Sequence, residues 1–433
     1  MRTAAFYTLG CKVNQYETES LKEIFAEKGY EILNFDDVCD VYVVNSCTVT
    51  AMSDKKSRQA LSRAKRKNPD AITALIGCYA QHLTDEEKKQ IGADIVLGTG
   101  DKSKLLELVE DEKAKKGIDA VSDIKTHTQF DETPVTGAGE DRMRGYIKIE
   151  DGCNRYCSYC IIPYVRGPVR SRPLENIRKE AEVLAESGIY EVVLTGIQTG
   201  AYGSDFKDEN ISLIDAIEAA ASAKGVKRIR LSSLEPNTIT EEFLARCRAL
   251  DAFCAHFHLS LQSGCDKILK AMNRRYTTQE YFEKTELIRE FFPNAAITTD
   301  IIAGFPGETE EDFIETVEFA KKCRLAKIHA FPYSPREGTK AATLPNLPEK
   351  SIRNQRTQSL IMLSEHLRAD FLKTQYGTKH DVYFEKQESD EVYSGYTDNY
   401  IYVHKAMKRS LLGKIHPVIL SPNNIAQNEP EAD

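Results

Sequence analysis

Apolar and polar positions follow two periods along this chain. Short apolar and β-branched runs at Thr3–Leu9, Val41–Asn45, Ala71–Gly77 and Ile95–Leu97 read as strands. Between them, apolar residues recur at helical spacing. Leu21, Ile24 and Phe25 lie in a helix that Asn14 would cap and Gly29 would end. A second helix spans Ser53–Lys67 and stops near Asn68–Pro69. Strands alternating with helices predict a parallel, doubly wound α/β sheet over residues 1–100.

Residues 101–140 are polar and charge-rich. A helix over Lys102–Lys116 is predicted, and the remainder, with GAGE near its end, reads as an interdomain linker. From Gly145 the βα pattern resumes. Gly145–Glu150, Glu191–Thr195, Arg228–Leu231, His256–Leu261, Ala296–Ile302 and Lys327–Phe331 read as six strands, with helices such as Leu174–Ser187 between them. This pattern predicts a partial or complete (βα)6-type barrel over residues 141–372, with a second doubly wound sheet as the alternative. Ser351–Gln375 is one long amphipathic helix pattern. After Gly377 the strings HDVYFE, YSGYTD and NYIYVHK predict a small all-β module over residues 373–433, ending in the acidic tail NEPEAD.

The length of 433 residues agrees with three domains, at a prior of ~150 residues each. With 41% hydrophobic and 29% charged residues, disorder is excluded for most of the chain. No apolar run approaches the roughly 18 residues that a membrane helix needs. The N-terminus lacks the apolar stretch of a signal peptide. A cytoplasmic protein with no membrane partner is expected. There thiols stay reduced, so the 11 cysteines are core residues or ligands.

Their positions separate these roles. Cys11, Cys47 and Cys78 each come just after a predicted strand ends. In a parallel sheet all three reach the carboxyl edge, where open α/β sheets bind ligands. Buried cysteines in strand-terminal turns are the alternative. Cys39 precedes its strand and belongs at the opposite edge. Cys153, Cys157 and Cys160 form C-x3-C-x2-C directly after the first barrel strand, on the catalytic face of a βα barrel. Three thiolates in one loop can hold three corners of an iron–sulfur cluster and leave one iron open. The alternative is a structural zinc with a distant fourth ligand, although no His lies near the loop. Cys39, Cys247, Cys254, Cys265 and Cys323 read as small core residues.

The string CNRYCSYC resembles the radical S-adenosylmethionine signature, and its surroundings, EDGCNRYCSYCIIPYVRGPVRSRP, resemble the tRNA and ribosomal-protein methylthiotransferases. So do TLGCKVNQYETE, VVNSCTVTAMSDKKSRQ, IGCYAQ, LTGIQTGAYG, RLSSLEP, FHLSLQSGCDKILKAMNRRYT, TTDIIAGFPGETEEDF and FPYSPREGT. The terminal β module resembles that family's TRAM domain. The resemblance implies a radical S-adenosylmethionine barrel, two 4Fe–4S clusters and S-adenosylmethionine as cofactors. Cys153, Cys157 and Cys160 would hold the cluster that binds S-adenosylmethionine, and Cys11, Cys47 and Cys78 an auxiliary cluster that carries sulfur. Tyr159 would pack on the cofactor's adenine, or serve as a core aromatic. Thr195, Ser232, Glu235 and Gln262, all at strand carboxyl ends, would meet S-adenosylmethionine.

TLGCKVNQYETE looks most like the threonylcarbamoyladenosine branch of the family; the isopentenyl branch reads more like GCQMN and the ribosomal branch more like GCPKN. The implied activity is insertion of a methylthio group at carbon 2 of threonylcarbamoyladenosine beside the anticodon (tRNA position 37). The implied partners are the tRNA anticodon stem-loop, a one-electron reductant and a sulfur source. Isopentenyladenosine in tRNA and a ribosomal-protein aspartate are alternative substrates. An RNA-binding protein with structural zinc is the alternative from another class.

RNA binding must overcome a net charge of −8. Lys55, Lys56, Arg58, Arg63, Lys65, Arg66 and Lys67 crowd one helix; Arg142 and Arg144 precede the barrel, and Arg166, Arg170 and Arg172 follow the cysteine loop. Such clusters can track phosphates, or form a solvated face. Tyr393, Tyr396, Tyr400 and Tyr402 would stack unpaired bases, or pair across strands.

Overall fold

The computed structural model describes residues 2–112, 114, 117–133, 143–207 and 210–426. The GAGE segment, Arg142 and the acidic tail lie outside them. The chain opens with β1 (Thr3–Thr8), α1 (Lys12–Glu27), β2 (Glu31–Leu33), β3 (Val41–Ser46), α2 (Ala51–Lys67), β4 (Ile72–Gly77), α3 (Cys78–His82), α4 (Asp85–Gln90), β5 (Ile95–Leu97), α5 (Leu105–Glu110) and β6 (Ile118–Asp119). Its strands form a parallel sheet in the order β2-β1-β3-β4-β5-β6. Side chains alternate across it. Ala5, Tyr42, Val44 and Leu75 meet Leu61 and Ala64 of α2 on one face. Ala4, Val43, Ala74 and Ile76 meet Leu21 and Phe25 of α1 on the other.

Three expectations are corrected here. Asn14 does not cap α1. The helix starts three residues earlier, at Lys12, with Cys11 in the cap position, and the Asn14 amide is buried, donating to Leu9 O at 2.7 Å and Ser46 O at 3.1 Å. Thr50 caps α2, accepting from Ser53 N, so that helix also starts earlier than its apolar pattern shows. The expected linker is largely folded onto the first sheet. Leu105 and Val109 enter its core, β6 pairs with β5, and Ile124 is buried. Its apolar residues are too widely spaced to produce a periodic signal.

The second unit runs through β7 (Arg144–Lys148), β8 (Glu150–Asp151), α6 (Ile162–Arg166), β9 (Arg170–Ser171), α7 (Leu174–Glu186), β10 (Glu191–Thr195), α8 (Leu213–Ala221), β11 (Arg228–Leu231), α9 (Glu241–Arg248), β12 (His256–His258), α10 (Asp266–Ala271), α11 (Thr278–Phe291), β13 (Ala296–Ala303), α12 (Glu310–Lys322), β14 (Lys327–Pro332) and α13 (Lys350–Thr374). Two parallel sheets, β11-β10-β7 and β12-β13-β14, are joined by single bridges at Ile229–Phe253 and Leu234–Leu259. The result is a partial six-strand barrel with β7 and β14 at its edges. Tyr16 of α1 enters the barrel core and donates to Glu180 of α7 at 3.1 Å. Thus α1 serves both units. No helix among the described residues is long and apolar enough to cross a membrane.

The chain closes with an antiparallel sheet of β15 (Lys379–Ser389), β16 (Val392–Thr397), β17 (Tyr402–Ala406) and β18 (Ile415–Ile419), in the order β17-β16-β15-β18. The apolar pattern lacks β18 because Pro417 interrupts it, and an edge strand tolerates that proline. This TRAM-like module packs at the amino ends of the barrel strands. Arg228 donates to Tyr396 O at 2.9 Å and Thr397 O at 2.6 Å, and Arg230 to Asp398 O at 2.7 Å. Arg144 pairs with Glu385 at 2.7 Å. All three guanidiniums converge on Glu191, at 2.7–3.3 Å. Burial would raise that carboxyl, but Arg230, Arg228 and Arg144 pull it down to about 2. Removing the shared carboxylate leaves buried cations unpaired. Glu191→Gln is therefore expected to cost about 3–5 kcal/mol in denaturant titrations. In the wild type, the contribution of Glu191 is full above its unfolded value of ~4.3 and is lost as pH falls toward about 2. An unchanged midpoint for Glu191→Gln at pH 7 would contradict this.

Candidate metal centre

The first thiol set is assembled by three strand ends. Cys11 follows β1 and precedes α1, Cys47 follows β3, and Cys78 follows β4 as the first residue of α3. All three therefore occupy the carboxyl edge of the sheet. Cys11 is exposed; Cys47 and Cys78 are buried. Gly10, with φ +105°, permits the approach: a Cβ there would lie 2.7 Å from the Cβ of Cys47 and 3.0 Å from its Sγ. Burial pushes the Cys47 thiol up to about 12, and the neighbouring Cys78 and Cys11 thiols add to it. Burial also raises Cys78, opposed by Arg166.

The second set lies in the loop between β8 and α6. Gly152, with φ +88°, turns the chain into it, and a Cβ there would collide with the carbonyl of Pro168. Cys153 N donates to Gly167 O at 2.9 Å and Cys160 N to Cys157 O at 2.9 Å, which fixes the two ends of the loop that carries the three thiols. Burial holds Cys153 and Cys160 at about 12; Cys157 raises both. Cys153 Sγ donates to Gln198 Oε1 at 3.2 Å, and Arg274 Nη1 donates to Cys157 Sγ at 3.3 Å. Tyr156, between these cysteines, sits at φ +50°. Such strain in a non-glycine residue persists only where its surroundings enforce it.

A buried ion network links the two sets. Arg166, the last residue of α6, has no solvent exposure. Its Nε donates to Cys78 Sγ at 3.3 Å, Nη1 to Glu17 and Asp151 at 3.0 Å, and Nη2 to Asn14 Oδ1 at 2.6 Å. Lys148 reaches Glu17 at 3.2 Å and Asp151 at 3.3 Å; Lys102 binds Glu17 and Asn45. Arg170 approaches Asp151 at 3.6 Å. Burial would raise Glu17, but Arg166, Lys102 and Lys148 hold it well below the usual carboxylate range. Asp151 is depressed in the same way by Arg166, Lys148 and Arg170, against burial. Two carboxylates thus face four cations, and the excess positive charge borders Cys78. Apolar contact reinforces the link, since Ile161 and Val165 pack on Cys78. From the far side, Arg336, after β14, pairs with Asp54 at 2.7 Å and binds Thr48, next to Cys47.

The remaining expected site residues are placed as follows. Thr195 ends β10 and is buried. Ser232 follows β11, and its buried hydroxyl has no hydrogen-bond partner among the described residues. Gln262 follows β12 at φ +68°. Glu235 is held by Arg155 at 2.7 Å, Arg274 at 3.3 Å and Gln198 at 3.2 Å. Tyr159 is partly buried and packs with Phe305, Tyr333 and Met272. Gln198, Arg274 and the Glu17–Arg166 network carry no signal of spacing. They are recognisable only once the fold brings them to the thiols.

The RNA-facing expectations change. Arg166, Arg170 and Arg172 are buried. Arg172 pairs with Glu132 at 2.8 Å and with Glu180. Arg144 is engaged with Glu385 and Glu191. Arg63 and Lys67 face Asp36, and Lys65 faces Asp94, which leaves Lys55, Lys56, Arg58 and Arg66 exposed on α2. Tyr393 and Tyr402 are buried. Tyr396 stacks on Tyr400 at 4.6 Å, and Tyr400 on His256 at 4.9 Å, so this pair faces the barrel.

Comparisons with known proteins agree with this architecture. A family described as the Radical SAM superfamily matches residues 147–320, and one described as Uncharacterized protein family UPF0004 matches residues 3–98. The chain is 41% identical to the threonylcarbamoyladenosine tRNA methylthiotransferase MtaB of Bacillus subtilis, covering 99% of this chain and 96% of the relative. It is 42% identical to the protein of that name from Aquifex aeolicus, covering 86% and 90%. It is 34% identical to the tRNA-2-methylthio-N(6)-dimethylallyladenosine synthase of Thermoanaerobacter sp., covering 94% and 88%. Among solved structures, the radical S-adenosylmethionine methyltransferase TsrM of Kitasatospora setae shares the fold, with a TM-score of 0.57, 17% identity and coverage of 79% of this chain and 77% of that one. The chain belongs to the radical S-adenosylmethionine tRNA methylthiotransferase family, whose members are sulfur-group transferases.

Proposed function

We propose that this enzyme adds a methylthio group to carbon 2 of threonylcarbamoyladenosine, at the tRNA position beside the anticodon, in the cytoplasm. Two relatives that carry this activity in their names, at 41% and 42% identity, support the substrate. The observation that carries the chemistry is the pair of three-thiol sets, both bordered by buried guanidinium groups.

In this reading Cys153, Cys157 and Cys160 hold the 4Fe–4S cluster that binds S-adenosylmethionine, and Cys11, Cys47 and Cys78 hold the auxiliary one. The donor sets suit the groups. Each offers three sulfurs and no fourth, so an iron position stays open. The excess cations beside Cys78 suit thiolates, and the unpartnered Ser232 hydroxyl and Arg274 Nη2 leave donors available beside the second set. Once bound, these groups supply one-electron chemistry that activates the carbon 2–hydrogen bond, together with the sulfur to be transferred. The protein's own contribution is placement. Arg274 and Gln198 fix Cys157 and Cys153, and Arg166 fixes Cys78. Thr195, Ser232, Gln262 and Tyr159 are our candidates for contact with S-adenosylmethionine; Glu235 orients Arg155 and Arg274. The exposed face of α2, with Lys55, Lys56, Arg58 and Arg66, is our candidate for phosphate contact. A one-electron reductant and a sulfur source complete the reaction.

Anaerobic reconstitution is expected to give ~8 iron atoms per chain. Replacing Cys153, Cys157 and Cys160 together by alanine should halve this, as should replacing the other three. Stoichiometric zinc without a brown chromophore would refute the assignment. Arg166→Met removes the hydrogen bonds to Glu17, Asp151, Asn14 and Cys78 while Lys102, Lys148 and Arg170 still face the two carboxylates, and should cost about 1–3 kcal/mol of stability by denaturant titration. Iron is then expected to be lost first from the Cys78 site. Nucleoside mass spectrometry of tRNA from a deletion strain should show loss of 2-methylthio-threonylcarbamoyladenosine and build-up of its precursor. Unchanged tRNA would refute the substrate.

A further inference from the structure

Lys12 follows Cys11 directly, at the start of α1, where that helix packs along β7 at the edge of the open barrel. Its side chain is reached by solvent, yet protein surrounds it on most sides. It makes no hydrogen bond and no ion pair among the described residues. The other cations that act on it are already engaged. Arg144 is held by Glu385 and Glu191, and Arg230 by Glu191 at 2.7 Å and by the Asp398 carbonyl at 2.7 Å. Among the described residues Lys12 is therefore an uncommitted cation, at the start of the helix that packs along the barrel edge.

Polar residues of β12, β13 and β14 are partly open. Asp300 on β13 feels the charge of Lys12, but its carboxylate is taken by His258 of β12 at 3.2 Å. His329 of β14 lies 5.7 Å from His258, ring to ring. Two residues further along the same face of β14, Phe331 is 51% exposed. The wall thus offers an apolar aromatic face, a His–Asp pair that can share hydrogen bonds, and one free ammonium beside the first thiol set. A flat base with an anionic substituent matches those three features.

Resting on the substrate reading above, we propose that Lys12 binds the carboxylate of the amino-acid substituent on the target adenosine and so sets specificity for acid-bearing over neutral modified bases. Lys12 is a specificity residue here, with no part in bond breaking. A charge-assisted contact of this kind is worth about tenfold to a hundredfold in affinity.

The test uses reconstituted full-length enzyme and three anticodon stem-loops, bearing threonylcarbamoyladenosine, its methyl ester, or isopentenyladenosine. Wild type is expected to bind and turn over the acid with a dissociation constant and KM about tenfold to a hundredfold lower than for the ester. Lys12→Met should erase that preference by weakening the acid alone, while the ester behaves as in wild type. Lys12→Arg should restore the preference. The inference is overturned if Lys12→Met keeps the preference, or if it weakens acid and ester equally. If wild type modifies only the isopentenyl loop, the substrate reading falls first, and the inference falls with it.

Discussion

The structure depends on keeping a set of buried charges mutually satisfied at the junction of two units. Arg166 is the centre of that set. It ends the short helix that leaves the second cysteine loop, and it touches Cys78, Asn14, Glu17 and Asp151 at once. These partners come from three segments, α1, α3 and β8, so the guanidinium fork fixes them relative to the cysteine loop that α6 follows. Such a network gains little net stability over an apolar core, but breaking any one partner is costly. That asymmetry suits a site where two thiol sets must keep a fixed separation.

The same device recurs at the other end of the barrel, where Glu191 gathers Arg144, Arg228 and Arg230 beneath the terminal sheet. The two ionic centres use arginines rather than lysines for most contacts. A planar fork can bind two carboxylates and a carbonyl in one geometry. One consequence is that basic residues clustered in the sequence are largely unavailable to nucleic acid. Of those clustered residues, Lys55, Lys56, Arg58 and Arg66 of α2 stay exposed. Net charge counted along a chain therefore says little about which cations a partner can meet.

Most of the architecture is legible from periodicity. Strands such as Val41–Ser46 and Glu191–Thr195 are dense in β-branched and aliphatic residues, and they alternate with helices of ordinary length. What periodicity loses are elements too short or too interrupted to repeat: β6 of two residues, and β18 with its proline. Helix starts were also displaced, because capping by Thr50 and the buried role of Asn14 depend on partners that apolar spacing does not encode. Of the site, the thiols could be read from their spacing after strand ends. Gln198 and Arg274 could not, since their meaning comes from meeting Cys153 and Cys157 across the barrel mouth.

The sequence by itself determined the strand–helix order, three cysteines at strand ends and three in one loop, and the family. Those follow from local patterns, in which a residue's role is set by its neighbours in the chain. Tertiary structure alone decided that Arg166 bridges two units, that Tyr396 and Tyr400 turn inward, and that Lys12 stays uncommitted. The reason is that a charge or ring has no fixed role until the fold assigns it a partner. Glu17 and Arg166 lie far apart in the chain, and only burial in one low-dielectric junction makes each indispensable to the other.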